Sequence, residues 1–327
     1  MSASDAATIE RREARGLPYP AFVREYVRRG LPVVIQGGVR EWPALQKWTP
    51  EFFRTAFGDR EVFVSREAPP MRFADLIDGV VASTEAKPGP YLHRLFICDH
   101  LPEVLEDLLP SNPYAFPRRM ASPLIPKAWR RPDGLLKLLI GGVGGRFPAM
   151  HYDGDNMNAA ITEIVGEKEF VLYSPDDTPY LYRRADNQNV SQIEDVVSPD
   201  FSRYPLFAQA RQHHCVIGPG DTIFIPARWW HTTRLLSVSI SVCQNSLDES
   251  NWDGFVDDVC RFGRSPARRR TKRAALVALG HTLDALEKCA GLPAVGRAAR
   301  WLAPIDASCY PDLRDFKVAS AQGAPQY

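Results

Sequence analysis

The feature that most constrains this chain is a run of short apolar segments between about Leu135 and Asn245, separated by Gly, Pro and Asp. They read LLKLLIGG, FPAMHYD, NAAITEIVG, KEFVLYSP, HHCVIG, DTIFIP and LLSVSISVCQN. Short apolar runs bounded by turn residues read as strands. Many such strands in succession predict a mainly β sandwich or barrel. Gly166-Glu167 predicts a tight hairpin between two of them. Arg183 to Pro199 is long and polar and predicts an excursion over the surface. The 28 prolines in 327 residues favour many short elements over a long helical bundle.

The flanks read differently. Before the strands, short helices and strands alternate. Tyr19 to Arg29 has a helical period with Pro20 near its start and Gly30 at its end. Leu31 to Gln36 and Glu61 to Ser65 look extended, Thr49-Pro50 opens a helix, another begins near Met71, and Tyr91 to Ile97 reads as a strand. After about Ser246 the reading is helical. Leu276, Leu279, Leu283 and Leu286 form one apolar seam at helical spacing. The expected division is a flexible arm over 1–16, one domain over 17–248 and a helical region over 249–327.

Composition narrows the function classes. Forty Lys and Arg against 39 Asp and Glu give a net charge of +1. That balance argues against dedicated nucleic-acid binding, and the basic run Arg261 to Arg273 reads as a solvated face. No apolar run is long enough to span a membrane, and the polar start lacks the apolar core of a signal peptide. The six cysteines are far apart with no CxxC pair. They read as buried thiols of a reducing compartment, so a cytoplasmic chain is expected.

The chemistry concentrates in AMHYDGDNMNAAITEIVGEKEFVLYSP, Ala149 to Pro175. His151 and Asp153 stand two apart, which on an extended strand puts both on one face. A second histidine would complete a two-His, one-carboxylate set that leaves coordination positions open. His231 offers it, at the end of the turn and apolar strand Gly218 to Pro226 and after Trp229 and Trp230. His100, His213 and His214 are rivals, although His213 and His214 are adjacent and cannot both face one site from a strand. Lys168 shares its strand face with Phe170 and Leu172. An inward lysine there needs a counter-ion, unless it snorkels to solvent.

The order His151-x-Asp153, Gly166-x-Lys168 and Pro219-Gly-Asp-x-x-Phe-Ile-Pro226 leading to Trp229-Trp230-His231 resembles the JmjC or cupin-like Fe(II)- and 2-oxoglutarate-dependent oxygenases. It is similar in particular to the branch of the asparaginyl hydroxylase that inhibits hypoxia-inducible factor, with GLPVVIQGG, WPALQKWTPEFF and PYLHRL matching earlier parts of that pattern. The resemblance covers about residues 17–248. It implies a double-stranded β-helix core with N-terminal α/β elements and C-terminal helices. It implies His151, Asp153 and His231 as iron ligands and catalytic centre, 2-oxoglutarate and O2 as cosubstrates, and Lys168 and Tyr91 on the distal carboxylate. Asn158 and Asn245 would be further cosubstrate contacts, with Cys243 beside Asn245. Two departures stand out. Residues 154–156 form an extra bulge, and Pro148 stands where a hydroxyl residue is usual. The resemblance further implies hydroxylation of a peptide or protein side chain, with a small-molecule substrate or a non-catalytic metal-binding module as alternatives. The leucine seam needs an apolar partner, either the outer face of its own barrel or the same helix of a second subunit. The resemblance, with C-terminal helices that pair subunits, implies the second, and a homodimer is expected with Leu279 and Leu283 near its centre.

Overall fold

The computed structural model describes residues 7–64, 68–115, 119, 122–125, 136–261, 265–290, 292, 294 and 296–303. In chain order the strands are β1 (Ala7–Thr8), β2 (Arg11–Glu13), β3 (Val33–Gln36), β4 (Glu61–Val62), β5 (Met71–Arg72), β6 (Tyr91–Phe96), β7 (Leu136–Gly141), β8 (Asn158–Val165), β9 (Lys168–Tyr173), β10 (His213–Ile217), β11 (Asp221–Ile225), β12 (Trp230–Leu235) and β13 (Ser239–Ser246). The helices are α1 (Tyr19–Phe22), α2 (Ala44–Lys47), α3 (Pro50–Phe57), α4 (Phe73–Val81), α5 (Ile97–His100), α6 (Trp252–Arg261), α7 (Pro266–Ala290) and α8 (Gly296–Leu302).

Two sheets face each other. The larger runs β2-β3-β11-β8-β13-β7-β6 and the smaller β1-β10-β9-β12. From β8 to β13 the chain passes back and forth between the two sheets, which is the winding of a double-stranded β-helix. Strand alternation sets what lies between them. Ala159 and Ile161 from β8, Phe170 and Leu172 from β9, Ile223 and Ile225 from β11 and Cys243 from β13 share one buried cluster. The outer face of the larger sheet is covered by α3 and α4, where Phe53, Phe73, Leu76 and Val80 pack on Leu138, Ile140 and Val242. One polar side chain guides this region: Thr49 Oγ1 accepts from Phe52 N–H at 3.0 Å and caps α3.

The predicted hairpin joins β8 to β9. Gly166 has φ +84°, and a Cβ there would fall 1.9 Å from the Val238 carbonyl oxygen, so only glycine fits this turn.

Several expectations change. Residues 7–13, placed in a loose arm, contribute β1 beside β10 and β2 beside β3, both parallel, while residues 1–6 lie outside the described residues. FPAMHYD is no regular strand: His151 makes single bridges to His231 and to Val190. The extended reading of Glu61 to Ser65 holds only for Glu61–Val62 among its described residues. The stretch from Arg183 to Pro199 does more than cross the surface. Its Ser191 N–H donates to Met150 O at 2.9 Å and its Asn189 O accepts from Tyr152 N–H at 3.0 Å, so it walls the loop that carries His151.

The apolar seam of α7 finds its partner within the chain. Leu276 and Leu283 are buried with Trp252, Phe255 and Val256 of α6, and Leu279 and Leu286 pack against the same cluster. Gly280 lets the helices approach, since a Cβ there would meet the Trp252 indole at 2.4 Å. The seam therefore does not call for a second subunit. Of the basic run before it, Arg261, Arg268, Arg270 and Arg273 are exposed, with Arg273 paired to Asp257 and Arg261 to Asp258. Arg269 and Lys272 are half-buried, and Lys272 Nζ donates to Val259 O at 2.9 Å. Among the described cysteines none is in a disulfide, and Cys309 lies outside them. No helix among the described residues is long and apolar enough to cross a membrane.

Candidate metal centre

His151, Asp153 and His231 converge at one end of the space between the sheets. One ligand atom from each lies within 4.8 Å of the others. The backbone arranges this directly. His151 N–H donates to His231 O at 3.0 Å, and His231 N–H donates to His151 O at 2.7 Å, which clamps the two residues side by side. Their rings stand 4.4 Å apart.

Each imidazole is oriented by the same device. Nδ1 of His151 lies 3.1 Å from Ala149 O, and Nδ1 of His231 lies 3.0 Å from Trp229 O. A carbonyl oxygen can only accept, so Nδ1 donates in both rings, which leaves Nε2 as the atom available to a metal. Phe147 stacks on the His151 ring at 4.1 Å and fixes its plane. Burial and the neighbouring His231 push the His151 imidazole down to about 3. Burial alone would favour a neutral Asp153. His231, Lys137 and His151, with a hydrogen bond from Asn245, outweigh it and hold the carboxyl below its ordinary range. Two imidazoles oriented through Nδ1 and one ionised carboxylate form a donor set suited to a divalent transition metal such as Fe(II).

The bulge after Asp153 is a turn, Gly154–Asn156, with positive φ at Asp155 and Asn156. It is tied down by Asn156, which accepts from Arg228 Nε at 2.7 Å and donates to Asn251 O at 2.8 Å. The insertion is thus bound to the segment that enters α6.

Lys168 lies deeper between the sheets and is only 1% exposed, so the inward reading is right and the snorkelling alternative is not. Its Nζ donates to Ser241 Oγ and sits 5.9 Å from the ring centre of Tyr91. Lys168 and Tyr91 are therefore brought together. Asn245 lies nearer the His151, Asp153 and His231 cluster. Its Nδ2 donates to Asp153 Oδ2 at 2.8 Å, and its Oδ1 accepts from Lys137 Nζ at 2.7 Å. Asn158 adjoins Asn245, whose Nδ2 also donates to the Asn158 backbone O at 3.3 Å. The side-chain amide of Asn158 donates to Asp248 at 2.9 Å and accepts from Ala227 N–H at 2.8 Å, which consumes it in holding two connections. The rival histidines lie apart: His213 packs on Trp229, His214 pairs with Glu169, and His100 is exposed on α5.

Sequence reasoning missed Lys137 and Glu163. Alternation was the available signal, since Lys137 shares a face with Leu139, and Glu163 shares one with Ala159 and Ile161. Glu163 is fully buried, with Oε2 3.5 Å from Lys168 Nζ. A cleft of about 580 Å³ opens beside Tyr91, lined among others by Glu85, His93, Arg146 and Pro148. His93 meets Phe147 edge-on at 4.9 Å, so the cleft adjoins the His151 ring through that phenylalanine.

Comparison with known proteins agrees with this architecture. A family model described as a cupin-like domain matches residues 19–246. Lysine-specific demethylase 8 of Xenopus tropicalis is 31% identical over 234 residues, covering 68% of this chain and 49% of that protein. tRNA wybutosine-synthesizing protein 5 of Gallus gallus is 30% identical over 243 residues, covering 70% and 74%. The human bifunctional peptidase and (3S)-lysyl hydroxylase JMJD7 is 26% identical over 261 residues, covering 68% and 78%. The chain spans about half the length of the lysine-specific demethylase 8 proteins it matches. With the barrel, the matched span and these relatives in agreement, the chain belongs to the cupin-like, JmjC-type family.

Proposed function

We propose that this protein is an Fe(II)- and 2-oxoglutarate-dependent oxygenase that hydroxylates an unactivated C–H bond, on a peptide or protein side chain. The observation that carries the reading is the paired clamp of His151 and His231. Both Nε2 atoms are left available and meet the Asp153 carboxylate at the mouth of a barrel whose interior holds Lys168. Iron held by these three residues would supply activation of O2, coupled to oxidative decarboxylation of 2-oxoglutarate.

The chain's own residues have separable tasks. His151, Asp153 and His231 hold the metal and leave open positions for cosubstrates. Asn245 orients Asp153. Lys168 and Tyr91 receive the distal carboxylate in a water-poor interior, where a charge-assisted bond is strong. Phe147 and the cleft beside Tyr91 give the substrate its approach. A side-chain substrate fits the name of the lysyl hydroxylase relative. The wybutosine-synthesizing relative makes a modified tRNA base the arm of the test that would overturn the peptide assignment.

The reading extends to a homodimer through the C-terminal helices. The contact moves from Leu279 and Leu283, which are occupied within the chain, to the exposed Leu292 and Trp301.

The deciding experiment incubates the full chain with Fe(II), 2-oxoglutarate and O2, and follows succinate. Mass spectrometry then searches peptide, tRNA and small-molecule fractions for a gain of one oxygen. Succinate formation that is lost in His151→Ala and His231→Ala supports the reading. Fe(II) binding by the unmutated chain without succinate formation overturns it in favour of a metal-binding module without turnover.

A further inference from the structure

The buried Lys168 already has a counter-ion of its own. Glu163 on β8 faces it across the interior, with Oε2 3.5 Å from Nζ, and both side chains are at most 1% exposed. Strand register explains the meeting. Glu163 pairs with Ser241 of β13, next to an irregularity in that pairing, and Ser241 and Ser239 both point inward. Ser239 Oγ donates to Glu163 Oε1 at 2.5 Å, while Oε2 is buried with no hydrogen-bond partner. One carboxylate oxygen is thus satisfied and the other is left with only an ion pair.

That arrangement poses a charge problem for any acidic ligand. Lys168 and Glu163 together are neutral. A carboxylate arriving at Lys168 would leave a buried cluster with one cation, two anions and a net charge of −1, which is costly to hold out of water. The other titratable groups facing the pair from neighbouring strands are Tyr91 of β6 and Cys243 of β13. Neither supplies a positive charge. Burial pushes the Cys243 thiol up to about 11, so it stays neutral too. Lys137 is engaged near Asp153 by Asn245.

We propose that Glu163 is a built-in competitor for Lys168, and that an incoming dicarboxylate binds there with uptake of one proton, held on Glu163 Oε2. The proton comes from a buffer acid. One O–H bond forms on Oε2, Lys168 keeps its three protons, and the loaded cluster returns to neutrality. The inference rests on the reading of Lys168 as the distal-carboxylate anchor. Burial raises Glu163 above the usual carboxylate range, a tendency that Lys168 and the two serines only partly oppose. A second anion beside it raises it further.

The linkage has a definite sign. Between the pKa of Glu163 in the free and in the loaded protein, binding takes up one proton and Kd rises about tenfold per pH unit. Below the free-protein value the carboxyl is already protonated and the dependence vanishes.

The test is calorimetric titration of 2-oxoglutarate into the anaerobic, Fe(II)-loaded full chain, in two buffers of different ionisation enthalpy. The expected result is uptake of about one proton per site, a Kd that weakens from pH 6.5 to 8, and loss of both effects in Glu163→Gln. At pH 8 that variant should bind about tenfold more tightly or better, because Lys168 then lacks its internal partner. If Glu163→Gln fails to fold, the two-buffer measurement on the unmutated chain decides alone. No proton uptake in the unmutated chain overturns the inference. Lys168→Met combined with Glu163→Leu separates the two layers. Unchanged 2-oxoglutarate affinity in the double variant would sink the anchor reading itself. Lost affinity there, beside a proton-silent unmutated chain, would sink only the role of Glu163.

Discussion

Asn245 and Asp153, 92 residues apart, are joined by a 2.8 Å hydrogen bond from Nδ2 to Oδ2, and the far side of the same amide takes Lys137 at 2.7 Å. The carboxylate of the candidate metal centre is therefore aimed by a strand that supplies none of the three candidate ligands. Asn245→Leu keeps the volume and removes both bonds. Partners of this kind are worth about 10- to 100-fold in metal affinity. Competition titration with a chelating dye should register a loss in that range, with the fold retained by circular dichroism. Unchanged affinity would show that Asp153 needs no such support.

Lys168 and Glu163 make a buried pair, so the two single removals and the joint one should differ. Lys168→Met strands an unpaired carboxylate and is expected to cost about 3–5 kcal/mol in urea unfolding. Replacing both by Met and Leu should recover most of that loss, because no buried charge then remains. Additive losses in the double variant would mean that the pair does not interact.

The interior thiols set an alkaline limit. Burial pushes Cys215 up to about 12 and Cys243 to about 11, against an ordinary value of 9.0. Raised folded values mean that the native state holds its protons longer than the unfolded chain does. Their contribution to stability is full below about pH 9 and is lost as pH rises through 11 to 12. At pH 8 both should resist iodoacetamide in the folded chain and react after denaturation. Labelling of Cys243 in the native protein, read by mass spectrometry, would contradict its burial.

The α7 seam makes a prediction about stability and not about assembly. Leu283 is fully buried against α6, so Leu283→Ala should cost about 2–5 kcal/mol of stability. Its effect on oligomeric state should be nil in light scattering. Trp301→Glu, at an exposed position, should do the reverse and turn a dimer into a monomer. A monomeric unmutated chain removes the dimer from the proposal.

The strands were legible where alternation and turn residues agreed, as in Asn158 to Tyr173 around Gly166. The inward Lys168 followed from the same alternation. His151 and His231 were legible as ligand types, but their clamp was not, because FPAMHYD looks like a strand and behaves as a loop held from both sides. The leucine seam was visible as periodicity, yet periodicity does not say whose surface covers it, and Trp252 was the answer. Asn158 was legible as an amide beside a ligand motif, but its bonds to Asp248 and Ala227 were not, because they depend on distant segments. Glu163 went unread since its meaning lies in its distance to Lys168, which no local pattern encodes.

The two-way backbone clamp between His151 and His231 spans 80 residues of chain, and the wall from Asn189 to Ser191 completes it from a third segment. No shorter piece of the polypeptide contains the donor set. Contacts of such long separation are late to form, because the intervening chain must be ordered before they are rewarded. Capture of a metal ion is thus a signal that the barrel has closed, and during refolding the growth of metal-dependent absorbance should trail the recovery of β-sheet circular dichroism and never lead it.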